Sequence, residues 1–133
     1  MGTGIIRHKN LASSGRWAKF SFCEQMANCG MEVHRALDWQ EKGNAEYADK
    51  AFERSLELLD FTISAQKDAG ASVPRMRELL RIRELWCGCF LKDSWYSQYG
   101  TTPEWFRRYF DFFALRAARE KAERAQYLNL VLR

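Results

Sequence analysis

Single glycines at Gly43, Gly70 and Gly100 divide the chain into stretches of helical periodicity, and only a few residues separate the first three stretches. That punctuation constrains the fold more than any other feature. Glycine can take the left-handed backbone that ends a helix, and a short connection makes two long helices antiparallel neighbours. Eleven Val, Ile and Thr among 133 residues, against twenty-eight Ala and Leu, leave little from which to build a sheet. The chain therefore reads as all-α. Four helices joined this way pack most simply as an antiparallel up-down-up-down four-helix bundle.

Ser21 followed by Glu24 has the capping-box spacing, which predicts a first helix from Phe22 to about Lys42. Gly43 ends it and Asn44 can cap the second helix, about Ala45 to Lys67, with an apolar stripe at Ala48, Ala51, Phe52, Ser55, Leu59, Thr62 and Ile63. Pro74 belongs in the first turn of a third helix that runs to about Lys92 and turns Leu79, Ile82, Trp86, Cys89 and Phe90 inward. A longer connection carrying Trp95, Tyr96 and Tyr99 follows. Thr101 and Glu104 repeat the capping-box spacing around Pro103 and open the fourth helix, which extends to about Asn129. Gly30 and Gly88 interrupt helices at a cost of about 1 kcal/mol each relative to alanine. Close approach of another helix, or of an aromatic such as Trp39 or Trp86, would offset it. Residues 1–20 lack helical periodicity and carry four basic and no acidic side chains, so they read as a basic N-terminal arm, mobile or strapped over the bundle. Residues 21–133 form the single bundle domain.

The fourth helix begins with aromatics nearly all round its circumference, which a bundle helix with one wet face does not need. Trp105, Phe106, Phe112 and Phe113 are therefore candidates for an oligomer interface. Its second half turns to alanines among arginines and glutamates, long enough to overhang the bundle or fray.

Charge is divided between the helical pairs. Residues 21–43 and 44–70 carry net −2 and −3, whereas residues 71–92 and 103–133 each carry +3. Such polarity can dock the basic pair of one copy on the acidic pair of the next and close a ring, or present a basic surface to phosphates. Solvated charge is the plain alternative. The candidate nucleic-acid-binding residues are Arg75, Arg77 and Arg81 of the third helix with Arg107, Arg108, Arg116 and Arg119 of the fourth. Arg83 lies nearest the buried stripe and needs an acidic partner, for which Glu53, Glu57 and Asp60 are placed.

Other chemistry is thinly represented. Cys23, Cys29, Cys87 and Cys89 lack zinc-ligand spacing and read as small buried hydrophobes. His8 stands in the arm, and His34 lacks the Glu-x-x-His setting of di-metal bundles. No catalytic residue, metal or cofactor is expected, and no enzyme. No window is apolar enough for a membrane span or secretory signal, which points to a cytoplasmic protein with reduced thiols.

The run Gly15 to Phe22 (GRWAKFSF), Glu24 to Asn28, the Lys42-Gly43-Asn44 turn, Ala51 to Asp60, Arg83-Glu84-Leu85 and Tyr109-Phe110 resemble a family of small bacterial cytosolic four-helix-bundle proteins. That family is structurally similar to the proteins encoded in 23S rRNA intervening sequences and to the accessory variability determinant of diversity-generating retroelements. The resemblance spans about residues 15–118. It implies a homopentameric ring with a positive surface for RNA or DNA, and a reverse-transcriptase-like protein as a possible partner. The C-terminal stretch after Arg119 departs from it. The expectation is thus a non-enzymatic bundle closing into a homo-oligomer, a pentamer by resemblance, with a basic surface for nucleic acid or a nucleoprotein. The competing expectation is a protein-interaction adaptor that docks a partner through its C-terminal helix and the apolar tail Tyr127 to Leu132.

Overall fold

In the computed structural model, residues 15–93 and 101–132 are described. They form five helices: α1 (Arg16–Lys19), α2 (Phe22–Glu41), α3 (Ala45–Asp68), α4 (Val73–Phe90) and α5 (Pro103–Val131). No strand occurs among the described residues, and the fold class is all-α. Residues 1–14, the connection 94–100 with its three aromatics, and Arg133 lie outside the described residues.

The boundaries follow from local chemistry. The Ser21 hydroxyl accepts the Glu24 N–H at 3.1 Å while the Glu24 carboxylate accepts the Ser21 N–H at 3.0 Å, so both halves of the capping box form. Gly43 and Gly70 have φ of 79° and 75°, and the Asn44 side chain takes the Tyr47 N–H at 3.1 Å. Two expectations are corrected. The cap of α5 is Thr102, whose hydroxyl accepts the Trp105 N–H at 3.2 Å; this makes Pro103 the first helical residue, where its missing N–H costs nothing. The helix expected to reach Lys92 stops at Phe90, because Lys92 itself adopts φ 56° and the N–H of Asp93 turns back to the carbonyl of Gly88 at 2.9 Å.

α2 is the central element, packed along α3 on one side and α5 on the other, while α4 lies on α3 and touches α5. The stripes meet in one core containing Met26, Cys29, Val33 and Leu37 of α2, Leu58 and Leu59 of α3, Leu79, Ile82 and Trp86 of α4 and Phe106 and Phe110 of α5. Phe52 stacks on Phe90 at 4.2 Å, and Trp86 packs against Phe52, Phe90 and Phe106. The Trp86 indole N–H is satisfied at 2.8 Å by the buried hydroxyl of Ser55, which explains a polar residue in the apolar stripe of α3. Gly30 is where α5 crosses α2, and the side chain that fills the space is Phe110 rather than Trp39 or Trp86.

The end of the expected arm belongs to this core. Trp17 of α1 is only 3% exposed, and its indole N–H donates to Thr62 Oγ1 at 3.2 Å. The buried Gln25 amide donates to the carbonyls of Trp17 and Phe20 and accepts from Gln66, whose own carbonyl oxygen accepts from Arg75. A hydrogen-bonded chain thus ties α1 to α2, α3 and α4. Residues 16–20 are a strap, and the packed unit starts before residue 21.

Candidate interaction surface

α5 changes character at Phe113. Phe106, Phe110 and Phe113, spaced four and three apart, all fall on the face that meets α2 and α4. Phe106 is fully buried and Phe113, 8% exposed, sits edge-on to Phe22. Both were candidates for an oligomer interface, and both are removed from it because the chain's own core uses them. The aromatic run hid this, since nearly continuous apolar residues do not reveal which face turns inward. Trp105 remains at the surface, stacked on Tyr109 at 5.3 Å, and Phe112 is 63% exposed.

Beyond Phe113 the helix continues without fraying to Val131, and every residue from 121 to 132 is exposed. Leu115, Tyr127, Leu128, Leu130, Val131 and Leu132 are all large exposed hydrophobics, with Leu132 at 81%. Ala118, Ala122 and Ala125 lie between them at helical spacing and are exposed as well. A polar contact still ties this half to the subunit: Arg124 reaches the Glu24 carboxylate at 3.6 Å, and Glu120 lies close enough to Cys23 to raise its thiol.

The seven candidate arginines differ in what they touch. Arg107 leaves the set as a phosphate contact. Its guanidinium reaches Asp38 at 2.9 Å and Glu41 at 3.1 Å, and its other nitrogen lies 3.1 Å from His34 Nδ1. Because arginine can only donate, His34 Nδ1 accepts and the ring proton sits on Nε2, facing Asp111 at 2.8 Å. Burial works against the charge on Arg107, and the hydrogen bonds of Asp38 and Glu41 more than restore it. The partners of His34 are 73 and 77 residues away, beyond any local signal. Arg75 is held by Gln66 at 3.2 Å and covers the Phe22 ring at 4.3 Å, so it too has a structural task. Arg108 pairs with Glu104 one turn earlier at 3.3 Å. Arg77, Arg81, Arg116 and Arg119 are exposed and make no ion pair among the described residues. Arg77 and Arg81 are one turn apart on α4, and Arg116 and Arg75 each lie near enough to Cys23 to act on that thiol's charge. Arg83 finds Asp60, in a two-pronged contact of 2.7 and 3.2 Å.

All four cysteines are free thiols, and among the described residues no group of three His, Cys, Asp or Glu side chains converges as metal ligands do. Burial pushes the Cys29 thiol up to about 12, and burial also raises Cys23, Cys87 and Cys89, the opposite of what an activated nucleophile needs. None of the described helices is long and apolar enough to cross a membrane. No protein-family model, curated protein or solved structure matches this chain.

Proposed function

We propose that this chain is a non-enzymatic assembly protein: an antiparallel up-down-up-down four-helix bundle that joins copies of itself through the exposed half of α5. The contacts support the topology. Residue numbers rise on α2 as they fall on α3, through Gln25 with Gln66, Cys29 with Thr62 and Trp39 with Tyr47. The same inverse order holds for α4 on α3 through Arg75 with Gln66, Arg83 with Asp60 and Phe90 with Phe52, and for α5 on α2 through Arg107 with Asp38 and Phe113 with Phe22.

One observation carries the functional reading: a continuous helix leaves the core at Phe113 and runs on for about five turns to Val131, with large apolar residues exposed at Leu115 and again from Tyr127 to Leu132 and exposed alanines between them. A short solitary helix is marginal in water, and a contiguous apolar face on a soluble bundle marks a contact surface. Arg83, Arg107 and Arg124 of the basic pair already meet Asp60, Asp38, Glu41 and Glu24 inside the chain, so charge between copies rests mainly on the exposed arginines. Apolar contact through α5 is therefore the stronger drive to assembly. Sedimentation velocity across micromolar concentrations tests this. Self-association that disappears on removing residues 121–133 is the expected result. A monomer throughout removes the reading, and if the same deletion then abolishes capture of a purified partner, the surface belongs to an adaptor.

Arg77, Arg81, Arg116 and Arg119 favour a second activity on the assembled particle, contact with the phosphates of RNA or DNA. Affinity should fall steeply with salt, and replacing all four by Gln should flatten that dependence. Salt-independent binding, or none, removes this part. A five-membered ring, as the family resemblance suggests, would need a second contact, separate from α5, that sets these exposed arginines on the acidic pair of another copy.

A further inference from the structure

We infer that the exposed stripe of α5 is occupied by the same stripe of a second copy, running antiparallel about a two-fold axis near Glu123. This rests on the reading that copies join through α5, and it specifies the partner surface and the number of copies. The residues on the stripe are Leu115, Ala118, Ala122, Ala125, Asn129 and Leu132, spaced three, four, three, four and three apart, the seam spacing of a coiled coil. All six are exposed, and the aromatic core face of α5 lies more than a quarter-turn round the helix.

Read from either end, the stripe has a similar order: leucine at the outside, then alanine or asparagine, then alanine at the centre. An antiparallel mate puts Leu115 opposite Leu132, Ala118 opposite Asn129 and Ala122 opposite Ala125. The central Ala122–Ala125 layers let two backbones approach closely, and the leucines pack at the two outer layers. The flanks match as well. Arg119, which makes no ion pair among the described residues, falls beside Gln126 and Asn129 of the mate, whose amide oxygens can accept from it. Lys121 falls beside Leu128, over which its methylene stem can lie while its ammonium reaches water. No two like charges face across the seam. Such a contact is isologous and closes at two copies, with the bundles at opposite ends of a shared helical bridge.

Disulfide pairing reads the register directly. Leu115→Cys protein is mixed with Leu132→Cys protein, oxidised, and mapped by mass spectrometry, so that links through the native thiols are told apart. The antiparallel seam predicts a 115–132 link between copies. A parallel seam sets those positions about 25 Å apart, 17 residues at 1.5 Å each, and would give 115–115 and 132–132 links instead, which overturns the proposal. Sedimentation of Ala122→Arg gives a second reading. The side chain is exposed, so the subunit folds, and dimerisation should weaken at least about tenfold. If Ala122→Arg associates as the parent does while deletion of 121–133 abolishes association, the α5 reading stands and this seam is wrong. If the parent chain is monomeric, both fall.

Discussion

Gly30 and Phe110 meet so closely that a Cβ on residue 30 would lie 2.6 Å from the Cβ of Phe110, inside any tolerable contact. The glycine in the middle of α2 is what allows α5 to cross there. Gly30→Ala gains helix propensity of about 1 kcal/mol but must push the two backbones apart, a net loss of about 1–3 kcal/mol in urea unfolding. Because the clash is with Cβ, Phe110→Ala should not rescue it. A Gly30→Ala protein as stable as the parent would show that the helices are farther apart.

Trp17 carries the docking of α1. Trp17→Ala should lower stability by about 3–5 kcal/mol, the range for truncating a buried aromatic. Trp17→Phe keeps most of the packing and loses the bond to Thr62, a loss of about 1 kcal/mol plus the missing ring volume. Urea midpoints of the two variants check the order. If residues 16–20 were a detached arm, both substitutions would be silent.

Stability should fall on the alkaline side. The folded Cys29 thiol is raised from 9.0 to about 12 by burial, so the folded state holds a proton that the unfolded state releases. Its contribution is complete below pH 9 and is lost as pH climbs from about 9 towards about 12. Tyr109 is raised as well, first by burial and then by the Glu78 carboxylate it touches, and adds to the same trend. The urea midpoint measured against pH should decline through this window, less steeply for Cys29→Ala.

Acid acts on a different group. The backbone N–H of Ser21 is the main cause holding the Glu24 carboxylate below its ordinary 4.5, with Arg124 assisting against a smaller effect of burial. That contribution is present above the ordinary value and is lost as pH falls through the lowered one. Glu24→Gln should show a shallower loss of stability below pH 4.5 than the parent, and an identical acid profile would count against the capping box.

The arginines should separate by experiment into two kinds. Arg107→Gln should lower stability by about 1 kcal/mol or a little more and leave the salt slope of nucleic-acid binding untouched, because its partners are Asp38, Glu41 and His34. Arg77→Gln with Arg116→Gln should leave stability within about 0.5 kcal/mol and reduce that slope. Urea unfolding beside salt-titrated binding checks both.

What could be read in the sequence was what local chemistry decides. The Ser21 box, the Gly43 and Gly70 turns, Pro74 in the first turn of α4 and the α3 stripe all depend on residues within four or five positions of each other, and the structure has each of them. The stop at Phe90 was hidden because Lys92, not a glycine, takes the left-handed turn. Trp17 looked like part of an arm because its partner Thr62 is 45 residues away. The interface candidates split for a similar reason: Phe106 and Phe113 share a helix face with Phe110, and only the packed neighbours show which face goes inward. The acidic and basic pairs are visible in the residue charges, whereas the partners of Arg83, Arg107 and Arg124 lie across those pairs in one chain and depend on the packing.

Hydrogen exchange at the amides of residues 121–132, followed over a range of protein concentrations, puts the account to its most direct test. Exchange there should slow as concentration rises and a second copy covers α5. Fast exchange at every concentration, with the amides around Trp86 and Phe106 still protected, would show a solitary helix end and contradict assembly through it.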